Sequence, residues 1–234
     1  MWPKHLPTWA RRWSVLSAEN LASIESEGRR LALAVRQDPG RPVPQYPDWT
    51  LADLASHTAS IHGRTVLVCR ERPVERISAP RLPESMDPID WYEETLEELL
   101  RELRDADPAT TVWSFGPEEN IGYWERRMVV ETGVHRWDGE QAVARNEPLT
   151  NLVAAAGLDE FAGTWLPHLG DLETMEVAAL DLDRTWVYGQ GDPVVRVEGP
   201  ASDLHLRLMS RPSSIHLPDD WAAAIDSLAP PPKR

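Results

Sequence analysis

The chain is expected to fold as an α+β protein, an antiparallel four-helix bundle followed by a small α/β unit with a mainly antiparallel sheet. Three observations carry this. Four proline-free stretches between Trp13 and Arg145 space their apolar residues by three and four, the repeat of an amphipathic helix. From Thr150 the texture changes to short β-leaning runs separated by glycine and aspartate. The length, 234 residues, suits one domain or two small ones, either able to bury a core. The boundary is placed between residues 146 and 150, giving a bundle over 1–148 and an α+β domain over 149–234.

The first helix is read from about Trp13 to Gln37 through Leu16, Leu21, Ile24, Leu31, Leu33 and Val35, and Asp38 to Trp49 (DPGRPVPQYPDW) breaks it. Thr50 and Asp53 form a capping box for a second helix that runs to about Glu71 and ends at Pro73. A third helix, Ile89 to Arg104, turns Leu96, Leu99, Leu100 and Leu103 inward and its glutamates outward. The fourth is predicted from Ile121 to Arg145. An alanine-rich helix from Thr150 to Trp165 precedes strands at Met175–Leu180, Thr185–Tyr188 and Val194–Glu198. Pro200 opens a helix through Leu208, and a last strand is expected near Ile215 to Leu217.

Composition narrows the function. With 24 basic and 38 acidic residues the formal charge is −14, which argues against binding nucleic acid or an anionic membrane. No apolar run reaches the length of a membrane span. One cysteine, Cys69, forms neither an internal disulfide nor a multi-cysteine metal site, so the expected compartment is the cytoplasm. The basic, tryptophan-rich start, Met1 to Trp13, has no apolar stretch of signal-peptide length and is read as a tail or cap; the PPPKR ending is read as frayed. Only Lys4 and Lys233 are lysine, and arginine in its place suggests a GC-rich genome.

The chemistry is concentrated on one helical face. Steps of three and four along the fourth helix trace Ile121, Trp124, Met128, Glu131, His135, Asp138 and Ala142, and three of these seven are polar. On the second helix the same construction gives Leu54, His57 and Ile61. A buried polar group without a partner costs about 1–3 kcal/mol, so these side chains must satisfy one another, meet water in a cleft, or bind something. A structural polar network and a metal site both answer that demand. Two imidazoles and one carboxylate are the ligand set of a catalytic zinc with open positions, and non-haem iron(II) uses the same set. Asp138 is a candidate for orienting an imidazole, or for pairing with an arginine. His62 lies about 140° around the helix from His57 and is expected to point elsewhere. His5, His168, His205 and His216 have no helical partner at metal spacing, and Cys69 is read as a small buried apolar residue.

Three segments, WTLADLASHTASIHG, WERRMVVETGVHRWDGEQA and VRVEGPASDLHLRLMSR, resemble the mycothiol-dependent maleylpyruvate isomerase family of the DinB-like superfamily, from about Trp49 to Leu217. The resemblance implies a DinB-like four-helix bundle that carries one zinc on His57, Glu131 and His135, closed by a small C-terminal domain. It also implies that the open zinc position takes the sulfur of a low-molecular-weight thiol. The resemblance points to mycothiol as that thiol, which fits a GC-rich actinobacterial source, and the sequence leaves bacillithiol and glutathione open. The expected reaction is thiolate addition to a small electrophile, giving an isomerase or an S-transferase. The family's use of a C-terminal arginine for anionic substrates implies Arg211, with Arg207 as second choice. The alternatives are a non-catalytic binding protein of the same fold, a thiol-independent zinc hydrolase with Asp138 or a glutamate as base, and, least favoured, an iron oxygenase. The sequence leaves open the physiological substrate and the oligomeric state.

Overall fold

A computed structural model describes residues 18–228. Helix α1 spans Ala18–Gln37, α2 Leu51–Glu71, α3 Pro88–Asp105 and α4 Ile121–Ala142. The Met1–Trp13 tail, the predicted first turn of α1 and the PPPKR ending lie outside the described residues. The four helices form a ring in which α1 packs on α4, α4 on α2, α2 on α3 and α3 on α1. Local chemistry sets their starts. Thr50 and Asp53 satisfy each other's free amides at the head of α2, Asp87 caps α3 ahead of Pro88, and Asn120 caps α4.

The broken segment before α2 is more ordered than its prolines and glycine suggest. Strands β1 (Pro42–Val43) and β2 (Tyr46–Thr50) pair antiparallel in a short hairpin. Its bonds come from non-neighbours: the Leu51 N–H donates to the Arg41 carbonyl and the Ala52 N–H to that of Pro39, tying the hairpin to the head of α2. Helix α4 stops at Ala142, three residues short of the expected Arg145. There the Val143 and Arg145 amides both turn back to the Glu140 carbonyl, and Ala144 takes a left-handed φ of 60°.

The C-terminal part contains α5 (Asn151–Thr164), β3 (Met175–Ala179), β4 (Arg184–Tyr188), β5 (Val195–Gly199), α6 (Ala201–Leu208) and α7 (Asp219–Asp226). The sheet order is β4-β3-β5: the hairpin ladder is antiparallel, whereas β5 lies parallel to β3 on its far side. To reach that side the chain crosses the end of β3 at Gly189, whose φ of 121° and closeness to Thr174 exclude a side chain. The strand expected at 215–217 is absent. The Ile215 N–H goes to Ser213 Oγ, which itself donates to the Asp203 carbonyl, so the segment is a turn held on α6. Helix α7, which the sequence did not suggest, follows and buries Trp221 completely.

One hydrophobic core runs from the bundle (Ile24, Leu96, Trp124, Met128) through α5 (Val153, Phe161) into the sheet and α7 (Tyr188, Trp221). A smaller core at the hairpin gathers Tyr46, Trp49, Leu51, Leu54 and Trp91. No described helix is long and apolar enough to cross a membrane.

Candidate metal centre

All seven residues of the α4 seam are buried, so its polar positions do face inward. His57, two turns into α2, meets Glu131 and His135, one turn apart on α4, and one ligand atom from each lies within 4.8 Å of the others. Glu131 Oε1 sits 3.4 Å from His57 Nε2 and 3.2 Å from His135 Nε2. The two imidazoles stand nearly perpendicular, with centroids 5.1 Å apart.

The layer behind this triad decides its protonation. His135 Nδ1 lies 3.0 Å from Asp138 Oδ2. Burial works to raise the Asp138 pKa, but Arg211 and His135 outweigh it and hold the carboxyl below its usual range. An ionised Asp138 can only accept, so Nδ1 carries the proton and Nε2 presents its lone pair to Glu131. Glu131 is held well below the usual carboxylate range, because Arg127 and the imidazoles overcome the effect of burial. Two acceptors therefore face each other at 3.2 Å unless a cation lies between them. A proton is one such cation: burial lowers the His135 pKa, yet Glu131 and Asp138 lift it to about 9. A metal ion bound by the three ligand atoms is the other. The donor set and its orientation fit zinc.

Two arginines complete the arrangement. Arg127, four residues before Glu131, donates to Glu131 Oε2, lies 3.3 Å from Glu160, and sits over the Trp165 ring at 5.9 Å. Arg211, just after α6, reaches across from the C-terminal part. Its Nε and Nη2 grip Asp138 at 3.2 and 2.7 Å, Nη1 donates to the Met209 carbonyl, and Nη2 also donates to Tyr46 Oη. The hairpin supplies the remaining wall, with Trp49 5.0 Å from the His57 ring and Tyr46 6.4 Å from that of His135.

The structure thus brings together His57, Glu131, His135, Asp138 and Arg211, all nominated by the sequence. Asp138 contacts both an imidazole and an arginine. Arg207 is elsewhere, paired with Asp226 at the surface. His62 points away from the triad to Thr132 Oγ1 at 2.9 Å. Cys69 is buried, and its thiol is pushed up to about 12. His168 and His216 are exposed, and His5 lies outside the described residues. The sequence reading missed Tyr46, Trp49 and Arg127. Arg127 was discoverable, because it precedes Glu131 by the same four residues that separate Glu131 from His135.

The fold has known counterparts. Two solved structures, the mycothiol-dependent maleylpyruvate isomerase and a point variant of it, superpose with TM-scores of 0.67 and 0.69 at 12% and 13% identity, covering 92% of this chain and 98% of theirs. At that identity the likeness establishes a shared DinB-like α+β fold. The family described as the mycothiol maleylpyruvate isomerase N-terminal domain matches residues 21–139, and the chain belongs to this family of enzymes. No curated protein sequence matches the chain.

Proposed function

We propose that the protein is a zinc-dependent enzyme that uses a low-molecular-weight thiol, mycothiol, to isomerise or S-conjugate a small electrophile in the cytoplasm. The observation that supports this best is the gathering of one ligand atom each from His57, Glu131 and His135 within 4.8 Å of one another, with His135 Nδ1 held by Asp138. Zinc bound there supplies a Lewis acid that lowers the pKa of an incoming thiol, so that thiolate is available at neutral pH. In this reading residues 1–148 form the metal-binding domain, and the domain from 149 onward delivers Arg211 to it.

The chain's own groups set the electrostatics. Arg127 and Arg211 face the carboxylates of Glu131, Asp138 and Glu160, and a bound divalent cation outweighs the one left over, so the loaded site is positive and favours anionic partners. Arg211 fixes Asp138, and Asp138 fixes the tautomer of His135. The sulfur must come from outside, because Cys69 is buried and its thiol resists ionisation. Asp138, a base considered for a hydrolase, is fully buried with both oxygens engaged, which favours the thiol-dependent reading over hydrolysis.

Plasma mass spectrometry of purified wild type beside His57→Ala tests the metal: about one zinc per chain, lost in the variant, is expected. Turnover of electrophiles with and without mycothiol then tests the chemistry. Full activity of the Glu131→Ala, His135→Ala double variant would refute the mechanism.

A further inference from the structure

Arg211 is the obvious candidate to receive the oxygen atoms of a substrate, yet four of its five N–H donors are committed, two to Asp138, one to the Met209 carbonyl and one to Tyr46 Oη. Tyr46 is in the opposite condition. Its oxygen accepts from Arg211, and no acceptor among the described residues takes its own proton. The phenol is buried and packed between Trp49 and the His135 ring, at centroid distances of 4.7 and 6.4 Å. A phenol hydroxyl is protonated at neutral pH and is available as a donor. A guanidinium donating to that oxygen polarises the O–H and makes it a better donor.

We propose that Tyr46 is a catalytic residue whose O–H donates a hydrogen bond to the enolate oxygen formed when thiolate adds to a conjugated carbonyl substrate. The proposal rests on the thiol-dependent reading above. In the step, a sulfur lone pair forms the C–S bond at the β carbon. The alkene π pair moves to the bond between the α and carbonyl carbons, and the carbonyl π pair goes to oxygen, where Tyr46 meets it. The former double bond is now single and rotates. Return of the oxygen pair re-forms the carbonyl, the enolate π pair moves back between the α and β carbons to re-form the alkene, and the C–S pair leaves with thiolate, so atoms and electrons balance without an oxidant or reductant. An alkyl halide attacked by substitution develops no such oxygen charge and gives this hydrogen bond nothing to stabilise.

The test is Tyr46→Phe, which keeps the ring and removes only the hydroxyl. With zinc loaded and mycothiol present, kcat on a cis-conjugated keto acid such as maleylpyruvate should fall about 10²- to 10³-fold, the usual effect of losing one oxyanion donor. KM should change little, and the rate with iodoacetamide should fall far less. A second readout needs no turnover. The nitronate of 3-nitropropionate, a planar oxyanion resembling the enolate, should bind the wild-type protein at least tenfold tighter than Tyr46→Phe by calorimetry, at equal zinc content and melting temperature. Equal losses on both electrophiles, or nitronate binding that is absent or independent of Tyr46, would overturn the proposal. Tyr46-dependent nitronate binding without thiol-dependent turnover would instead retain Tyr46 as an oxyanion donor and discard the thiol reading.

Discussion

Helix α4 carries two buried charged clusters, and they differ in whether donors match acceptors. Around Arg136 everything is paired. Its guanidinium bonds Glu27, Glu140 and the carbonyls of Glu147 and Pro148, and Arg30 supplies the second cation with bonds of 2.9 and 2.8 Å to Glu140. Two arginines meet two glutamates, and the result ties α1 to α4 and to the segment leading into α5. Around Glu131 the balance is different: Arg127 and Arg211 face three carboxylates, those of Glu131, Asp138 and Glu160, and one ligand atom each of His57, His135 and Glu131 gathers within 4.8 Å of the others. A cluster with matched partners belongs to the scaffold. One with surplus acceptors gathered together calls for a cation, a proton or a metal ion, and that marks it as the candidate site.

Removing a member of each cluster separates the two. Arg136→Met should destabilise the protein most, by about 3–5 kcal/mol in urea unfolding, because Glu27 and Glu140 lose their buried partner. A loss below about 1 kcal/mol would show that this network is dispensable. Zinc at roughly 100 times its Kd should stabilise the wild type by about 2.7 kcal/mol and leave His57→Ala unmoved. The Arg136→Met protein should keep that zinc response, and losing it would mean that the clusters are coupled. Asp138→Ala removes the acceptor of the His135 ring, so zinc affinity measured against a chromophoric chelator should drop about 10- to 100-fold. Wild-type affinity there would remove Asp138 from the site.

The smallest effect is expected from a group in neither cluster. His205 is buried without a partner for either ring nitrogen, and burial, with Arg211 and Arg127 adding to it, lowers its pKa to about 3. Its folded pKa lies below its unfolded value near 6.5, so the unfolded chain binds the proton more readily. The resulting stability is present above about pH 6.5 and fades as pH falls toward 3. Between pH 7 and 5.5 the wild type should lose about 1.3 kcal/mol more than His205→Leu, and parallel pH profiles would exclude this contribution.

Much of the site was legible because helices are local. The spacing of Glu131, His135 and Asp138 fixes one face of α4, and the Thr50–Asp53 box fixes where α2 begins and hence the depth at which His57 emerges. Apolar neighbours at the same spacing say that this face is inward. Other parts lacked such a signal. Tyr46 and Trp49 lie in a segment full of turn residues, and only the bonds that the Leu51 and Ala52 amides send back to it reveal a hairpin.

By itself, then, the sequence determined the four helices, the change of texture near residue 150 and the inward polar face, since each depends on neighbours within a turn or two of chain. The tertiary structure decided what closes over that face. Arg211 meets Asp138 across 73 residues and Tyr46 across 165. It likewise placed β5 parallel to β3 and drew α7 into the core. Contacts of that range leave no periodic trace in the chain, because they are selected by the packing of elements already formed.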